Sequence, residues 1–274
     1  MFPPKKILFP VDFSERCASV APMAETFTRR FQSELTLLHV LPPEALDVPF
    51  TPARAALETF VAHKLAGIET KQVLLHGDPA GEIVRFAQEQ NSDLIMMPTH
   101  GYGPFRRFLF GSVTAKVLHD ARPAVWTDVH AEEIVSHRET SFHCVACALD
   151  LSEKSQPAMR WAAQFCAETG ARLLLVHAIP LVVYAANEFS YWNWQQELTD
   201  AAREQIDCLQ RREGTHATVD IVTGAVPYAV RAAAEGAHAD LLVIGRSLDD
   251  GQAGRLRTHA YPIIQHSPCP AVSV

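Results

Sequence analysis

LFPVDFSE at residues 8–15 returns as ACALDLSE at residues 146–153, and in both copies a short apolar run leads into an aspartate. These aspartates, Asp12 and Asp150, lie 138 residues apart. A continuous apolar run of this length is typical of a strand that is covered on both faces of a sheet. The same buried strand is therefore predicted near the start of each half of the chain.

Further matches follow in the same order in both halves. His39 and His177 are again 138 residues apart, whereas the later matches are 147 residues apart, so the second copy carries nine extra residues. Self-similarity at a long, fixed spacing is the signature of a repeated structural unit. The matched segments are ELTLLHVLP with ARLLLVHAIP, GDPAGEIVRFA with GAVPYAVRAAA, SDLIMMP with ADLLVIG, and RPAVWTDV with CPAVSV.

Two domains are therefore predicted, over residues 1–130 and 140–274, joined by the polar stretch VHAEEIVSHRET. With 274 residues in the chain, each domain is long enough to bury its own core. We expect the two copies to pair as an internal pseudo-dimer. Association of two chains into a homodimer is left open.

Each copy alternates short apolar runs with helical patterns. In the first copy, helical spacing joins Val20, Met23, Phe27 and Phe31, and likewise Ile83, Phe86 and Ala87. Strands that alternate with helices favour the α/β class, with two tandem, doubly wound, mostly parallel five-stranded sheets of Rossmann-like type. The predicted strands of the first copy span residues 7–11, 35–40, 71–75, 94–97 and 124–127.

The net charge of −7 gives no reason to expect nucleic acid or an anionic membrane as a partner. The longest apolar stretch, at residues 173–186, is too short to span a bilayer, and we expect a cytoplasmic protein. The scattered cysteines are expected to be reduced. Cys144 and Cys147 form a lone C-x2-C in a predicted strand, which favours buried thiols over zinc. His39 and His177 end matching strands, which favours a symmetric structural role.

In doubly wound sheets, ligands bind beyond the carboxyl ends of the strands, where the strand order reverses. Three segments of the first copy are predicted to meet there: Asp12, Val40 and MPTHGYGPFRRFLFGSVTAK at residues 97–116. Gly101 and Gly111 allow backbone amides to approach an anion closely. Ser112 would begin a helix, whose first-turn amides and dipole favour phosphate.

Simpler interpretations stay open for each of these residues. Gly111 and Ser112 could mark an ordinary helix start. Asp12 could cap the helix that follows it. Arg106 and Arg107 could belong to a solvated face rather than contact a ligand.

These motifs resemble the universal stress protein family over nearly the whole chain. The family signature is G-x2-G-x9-G-[S/T] after the fourth strand, with an aspartate after the first strand. Gly101, nine residues, and then Gly111–Ser112 fit its latter part, but Pro98 stands at its first glycine and removes an amide donor. The resemblance implies a nucleotide site formed by Pro10, Val11, Asp12, Val40, Met97, Pro98, Gly101, Gly111, Ser112 and Val113.

The resemblance also implies a regulatory protein, related in fold to adenine-nucleotide α-hydrolases, that binds ATP, or else AMP or ADP, with or without Mg. Hydrolysis is expected to be slow at most, because no dedicated base or metal cage is recognised. One alternative is a stress-response scaffold that acts on an unknown protein partner without nucleotide. An adenylating enzyme is disfavoured, because HIGH-type and SGG-x-DS motifs are absent.

The second copy keeps Asp150 and Gly245 but loses the rest of the signature. Leu248, Thr258 and His259 replace its two later glycines and its serine. We therefore predict that the second copy does not bind ATP in the family's manner, and a pocket for another small molecule is left open. The aromatic stretch NEFSYWNWQQEL at residues 187–198 is expected to be a helix entry packed on the sheet edge, with a partner surface or lid as the alternative.

Overall fold

The computed structural model describes residues 2–45, 47–99, 110–128, 141–152, 155–180, 188–246 and 260–274, with the side chains of residues 188–193 left out. These residues form two compact units. The first unit contains the described residues up to 128, and the second contains those from 141 onward.

The first unit is a parallel sheet in which β1 lies between β2 and β4, in the order β3-β2-β1-β4-β5. Helices connect successive strands, and α1 packs on α2 while α3 packs on α4. The strands are β1 Lys6–Pro10, β2 Glu34–Leu41, β3 Thr70–His76, β4 Leu94–Pro98 and β5 Ala124–Asp128. The helices are α1 Glu15–Phe31, α2 Thr51–Lys64, α3 Pro79–Glu89 and α4 Ser112–Asp120.

The second unit repeats this topology, with the strand order β10-β9-β6-β7-β8 and parallel pairing. Its central strand β6 lies between β7 and β9, as β1 lies between β2 and β4. The strands are β6 Cys144–Ala148, β7 Arg172–Ile179, β8 Thr218–Thr223, β9 Leu241–Ile244 and β10 Ala271–Ser273. The helices are α5 Ser155–Thr169, α6 Glu188–Glu213, α7 Val226–Gly236 and α8 Ala260–Gln265.

The predicted α/β class with two parallel-stranded repeats is confirmed. Each of the five strands predicted in the first copy overlaps an observed strand to within two residues at either end. Phe27 and Phe31 of α1 and Ile83 of α3 are buried, as their spacing predicts. Pro22 lies inside α1 without ending it. Burial on both faces explains the continuous apolar runs, because helices cover both sides of such a sheet.

A carboxylate fixes the start of the central strand in each unit. In the first unit, Asp93 Oδ2 accepts hydrogen bonds from the amides of Lys5 and Lys6, at 2.9 and 3.1 Å. In the second, Asp240 Oδ2 accepts from the amides of His143 and Cys144, at 2.6 and 2.9 Å. Both aspartates directly precede the fourth strand of their unit, so each ties the amino ends of two neighbouring strands together.

The turn into α3 begins at a glycine with a positive φ, as does the matching turn of the second unit. Gly77 has a φ of 149°, and its counterpart Gly224 has a φ of 150°. Asp78 caps α3 by accepting a hydrogen bond from the amide of Gly81 at 2.9 Å, and Pro79 is the first helical residue. Asp78 also accepts from Lys116 Nζ of α4 at 2.8 Å. Lys116, followed by the Gly81 amide, lowers the pKa of this carboxyl.

All six cysteines lie in the described residues, and all are free thiols. Cys144 and Cys147 are fully buried in β6, which confirms the prediction of buried thiols. Desolvation, with a further contribution from Asp12, raises the pKa of the Cys17 thiol, and desolvation raises that of Cys147. Of the six, only Cys208 is partly exposed. The described residues also include no helix long and apolar enough to cross a bilayer.

We predict that Ellman's reagent labels one thiol per native chain rapidly, and that this thiol is Cys208. The reactive species is the thiolate, and burial disfavours it at the other five positions. Absorbance at 412 nm measures the reaction, and Cys208→Ser should remove the fast phase while all six thiols react in denaturant. Two or more fast thiols in the native protein would contradict this packing.

Candidate functional site

The loop after the central strand has the same geometry in both units. Asp12 Oδ1 accepts hydrogen bonds from the amide of Ser14 at 3.0 Å and from its hydroxyl at 2.7 Å. Asp150 Oδ1 accepts from the amide and hydroxyl of Ser152 at the same two distances. The residues between, Phe13 and Leu151, have φ values of 63° and 60°. The aspartate therefore organises a tight left-handed turn at the carboxyl end of each central strand.

The suggestion that Asp12 caps α1 is wrong. Ser14 is the N-cap, because its hydroxyl accepts a hydrogen bond from the amide of Cys17 at 3.1 Å. The same hydroxyl donates a hydrogen bond to Asp12 Oδ1. Both hydrogen bonds from Ser14 end on Oδ1, so they do not use the second carboxylate oxygen of this half-buried side chain.

The two matching histidines have the predicted symmetric role. His39 Nδ1 lies 2.7 Å from the carbonyl oxygen of Val11, and His177 Nδ1 lies 2.9 Å from that of Leu149. Because a carbonyl oxygen only accepts, Nδ1 must carry the proton in both rings. Each histidine therefore fixes the backbone between the central strand and its aspartate.

We predict that His39→Leu lowers the free energy of unfolding by about 1–3 kcal/mol, because the Val11 carbonyl loses its donor in a part-buried position. The matched control is His63→Leu on the exposed side of α2, where Nδ1 contacts the carbonyl of Thr59 at 2.8 Å. That change should stay within about 0.5 kcal/mol. Urea unfolding followed by circular dichroism measures both. Equal effects would contradict a role in fixing the loop.

Two hydrogen bonds tie the start of α4 to the carboxyl end of β4. The amide of Gly111 donates to the carbonyl of Thr99 at 3.0 Å. The hydroxyl of Thr114 donates to the carbonyl of Pro98 at 3.1 Å. Ser112, the first residue of α4, is exposed. The helix N-terminus thus lies beside the point where strand order reverses, although the Gly111 amide is already engaged by protein.

The structure brings most of the predicted site residues to this edge of the first unit. Asp12 and Val113 are half-buried, and Ser112 is exposed. Gly101, together with Arg106 and Arg107, lies outside the described residues. Five of the predicted residues are buried: Pro10, Val11, Val40, Met97 and Pro98.

A cavity of about 680 Å³ opens at the corresponding edge of the second unit. It lies beyond the carboxyl ends of β6, β7 and β9, which is where a doubly wound sheet binds its ligand. Helices on both faces of the sheet contribute to its wall. The helical residues are Leu198, Ala201, Ala202 and Gln205 of α6, Val226 and Val230 of α7, and Ala260 and Ile263 of α8, with Ser155 of α5.

The polar residues of the cavity are few. Asp150 and His177 line it, but both already make the backbone and serine hydrogen bonds described above. Arg246, the second residue after β9, also lines it and is only 6% exposed. Burial lowers the pKa of Arg246 to about 10, so the guanidinium remains a cation at neutral pH. Its amide is held by the carbonyl of Val274 at 2.7 Å.

The copies differ at two of the positions that line this cavity. Gly245 lines it at the position where the first unit has Pro98. Leu151 lines it at the position of Phe13, whose ring packs on His39 at 4.5 Å and on Phe60 at 6.4 Å between centroids. The size and lining of this cavity were not predicted, although the repeat alignment already pairs Leu151 with Phe13.

The aromatic stretch at residues 187–198 falls at the start of α6, as the expectation of a helix entry requires. The side chains of Phe189, Tyr191 and Trp192 lie outside the described residues. Trp194 is 41% exposed. The later part of α6, from Leu198 onward, forms the cavity wall. The second-copy residues 248–259, including Thr258 and His259, are also outside the described residues.

The fold defines a tandem Rossmann-like α/β protein whose two units share one topology. A family model described as the universal stress protein family matches residues 3–127 and again residues 142–274. The chain belongs to the universal stress protein family.

Two curated relatives agree with this assignment. A universal stress protein of Methanocaldococcus jannaschii is 32% identical over 136 residues, which cover 43% of this chain and 77% of the relative. One from Synechocystis is 32% identical over 124 residues, covering 42% of this chain and 79% of the relative. Each relative therefore corresponds to about one of the two units.

Solved structures match the chain at full length. A universal stress protein from Archaeoglobus fulgidus has a TM-score of 0.69 at 23% identity, covering 99% of this chain and 98% of that one. A protein of unknown function from Pseudomonas aeruginosa has a TM-score of 0.71 at 15% identity, covering 99% and 92%. At these identities the likeness concerns the fold alone.

Proposed function

We propose that the first unit binds an adenine nucleotide, ATP or else AMP or ADP, and that the protein acts as a regulator with little or no hydrolysis. The proposed contacts are the predicted residues, with Asp12 on the adenosine side and Ser112 on the phosphate side. A cytoplasmic setting suits six free thiols, because disulfides rarely persist in a reducing compartment.

The observation that carries the proposal is the attachment of α4 to β4. The hydrogen bonds of Gly111 and Thr114 hold the first turn of α4 at the switch point of the sheet. Amides in the first turn of a helix have no intrahelical acceptor, and the helix dipole favours an anion there. The hydroxyl of Ser112 adds a donor at the same place.

Asp12 fits the sugar end of such a ligand. Its Oδ1 is used by Ser14, which orients the carboxylate, and Oδ2 is the oxygen proposed to accept from a ribose hydroxyl. The carboxylate follows β1, and the helix N-terminus follows β4, and these strands are neighbours. Donors for phosphate and an acceptor for ribose therefore face the same crevice from two sides.

A nucleotide-free scaffold is the second candidate, and Pro98 is the observation that favours it. Proline has no amide hydrogen and places a ring where the second unit has Gly245. The Gly111 amide also donates to Thr99 rather than remaining available to a ligand. In this alternative the fold supports protein contacts alone.

We predict that the full chain, freed of any copurifying nucleotide, binds one equivalent of ATP in calorimetric titration. Asp12→Asn should weaken binding by about tenfold or more, because a hydrogen bond to a charged acceptor contributes about 1.5–3 kcal/mol. Ser112→Ala should abolish measurable binding. Denaturing the protein as purified and chromatographing the supernatant identifies the nucleotide acquired in the cell.

Asp150→Asn is the matched control, because it removes the same serine-bound carboxylate from the second unit. It should leave ATP affinity unchanged, as should His259→Ala. Two nucleotides per chain would contradict the assignment to the first unit. No heat of binding and no thermal shift with millimolar Mg-ATP would support the scaffold instead.

A further inference from the structure

The cavity of the second unit has an apolar wall. Its size lies within the range of about 300–1,000 Å³ typical of small-molecule sites. Aliphatic side chains from three strands' ends and three helices surround it, so a ligand with an apolar body would exchange water for hydrocarbon contacts. The aliphatic residues are Leu149, Leu151, Ile179, Leu198, Val226, Val230, Ile244 and Ile263.

Arg246 gives this apolar space one cation. A guanidinium presents a planar set of donors that matches a carboxylate in a bidentate manner. In surroundings of low dielectric constant the attraction between such a pair is stronger than in water. Burial lowers the pKa of Arg246 because desolvation penalises its charge, and an anion close to the guanidinium would stabilise that charge.

At the repeat position of Arg246 the first unit has no arginine. Its residue at the same repeat position is Thr99, whose hydroxyl donates to the carbonyl of Asp128 at 3.2 Å. Arg246 and Gly245 thus replace Thr99 and Pro98 together, one adding a charge and the other making room. The second unit also lacks the glycine and serine that the proposed phosphate site uses, since Thr258 and His259 stand in their place.

From these observations we propose that the second unit binds a small apolar monocarboxylate, with the ligand's apolar body against the aliphatic wall and its carboxylate on Arg246. This site is separate from the nucleotide site proposed for the first unit, and its ligand is of a different chemical class.

Two carboxylates of different shape, decanoate and 2-naphthoate, test the proposal on the full chain by calorimetric titration. At least one should bind with a stoichiometry of one per chain, and its uncharged analogue, 1-decanol or 2-naphthalenemethanol, should bind about tenfold more weakly or worse. ATP should not compete with the bound carboxylate. Ser112→Ala should leave carboxylate binding unchanged, so the two proposed sites can fail independently.

Arg246→Met should weaken carboxylate binding about tenfold or more and leave binding of the alcohol unchanged, because it removes the charge while keeping an apolar side chain of similar length. Arg246→Lys should give an intermediate affinity, because it keeps the charge without the planar fork. Arg231→Met is the matched control, since Arg231 pairs with Glu235 on the exposed face of α7 and does not line the cavity. It should change neither affinity.

A second variant tests the cavity without altering its charge. Ala202 is 4% exposed and lines the wall, so Ala202→Phe should weaken the acid and the alcohol alike. Thermal unfolding establishes that each variant is folded before it is titrated. The proposal is overturned if neither carboxylate binds, if folded Arg246→Met binds the acid as tightly as the parent chain, or if ATP displaces it.

Discussion

Parallel pairing of a central strand on both sides is the constraint on which the rest of each unit depends. β1 is hydrogen-bonded to β2 and β4, and β6 to β7 and β9, so the chain must leave the central strand in one direction and later return on its other side. The reversal leaves a crevice at the carboxyl ends of two strands that nothing in the sheet itself fills. Loops and helix N-termini therefore determine what each crevice can bind.

The two crevices have been filled differently. In the first unit, an aromatic cluster of Phe13, His39 and Phe60 occupies the space beside the central strand. In the second, aliphatic residues and Arg246 surround an open cavity. The local framework is nevertheless shared, because in each copy the aspartate accepts from the serine two residues on and the histidine contacts the backbone carbonyl after the central strand. A shared framework with different linings fits the proposal that the two units bind different ligands.

Much of the fold could be predicted from the sequence because it rests on local patterns. Buried parallel strands appear as continuous apolar runs, and helices appear as apolar residues three or four positions apart. The repeat adds support, because an element predicted in one half is also expected in the other. The buried cysteines and the symmetric role of His39 and His177 followed from position in those strands alone. The open alternative that Asp12 caps α1 was wrong, because Asp12 and Ser14 are both good cap residues and only the geometry of the turn distinguishes them.

The cavity could not be predicted because it depends on volumes added across elements far apart in the chain. The cavity is lined jointly by Leu151, Gly245 and one face of α6. None of these alone predicts a pocket. Nothing in the sequence distinguishes Arg246 from other arginines that follow a strand, and its significance comes from its burial. The proposed phosphate side of the first unit is supported by the sequence motif and by the position of the start of α4, because Gly101 lies outside the described residues.

The carboxylates of Asp93 and Asp240 have a consequence for how such a chain can change over time. Each secures the amino ends of two strands, and so holds the strand register at the edge opposite the crevice. A register slip by one residue would move every side chain of the strand to the opposite face of the sheet and so disrupt its packing against the helices, and these clamps oppose it. Substitutions at the carboxyl edge can then accumulate without endangering the sheet. The two halves are in effect paralogues within one polypeptide. Their carboxyl edges can diverge in sequence while each sheet keeps the same strand pairing.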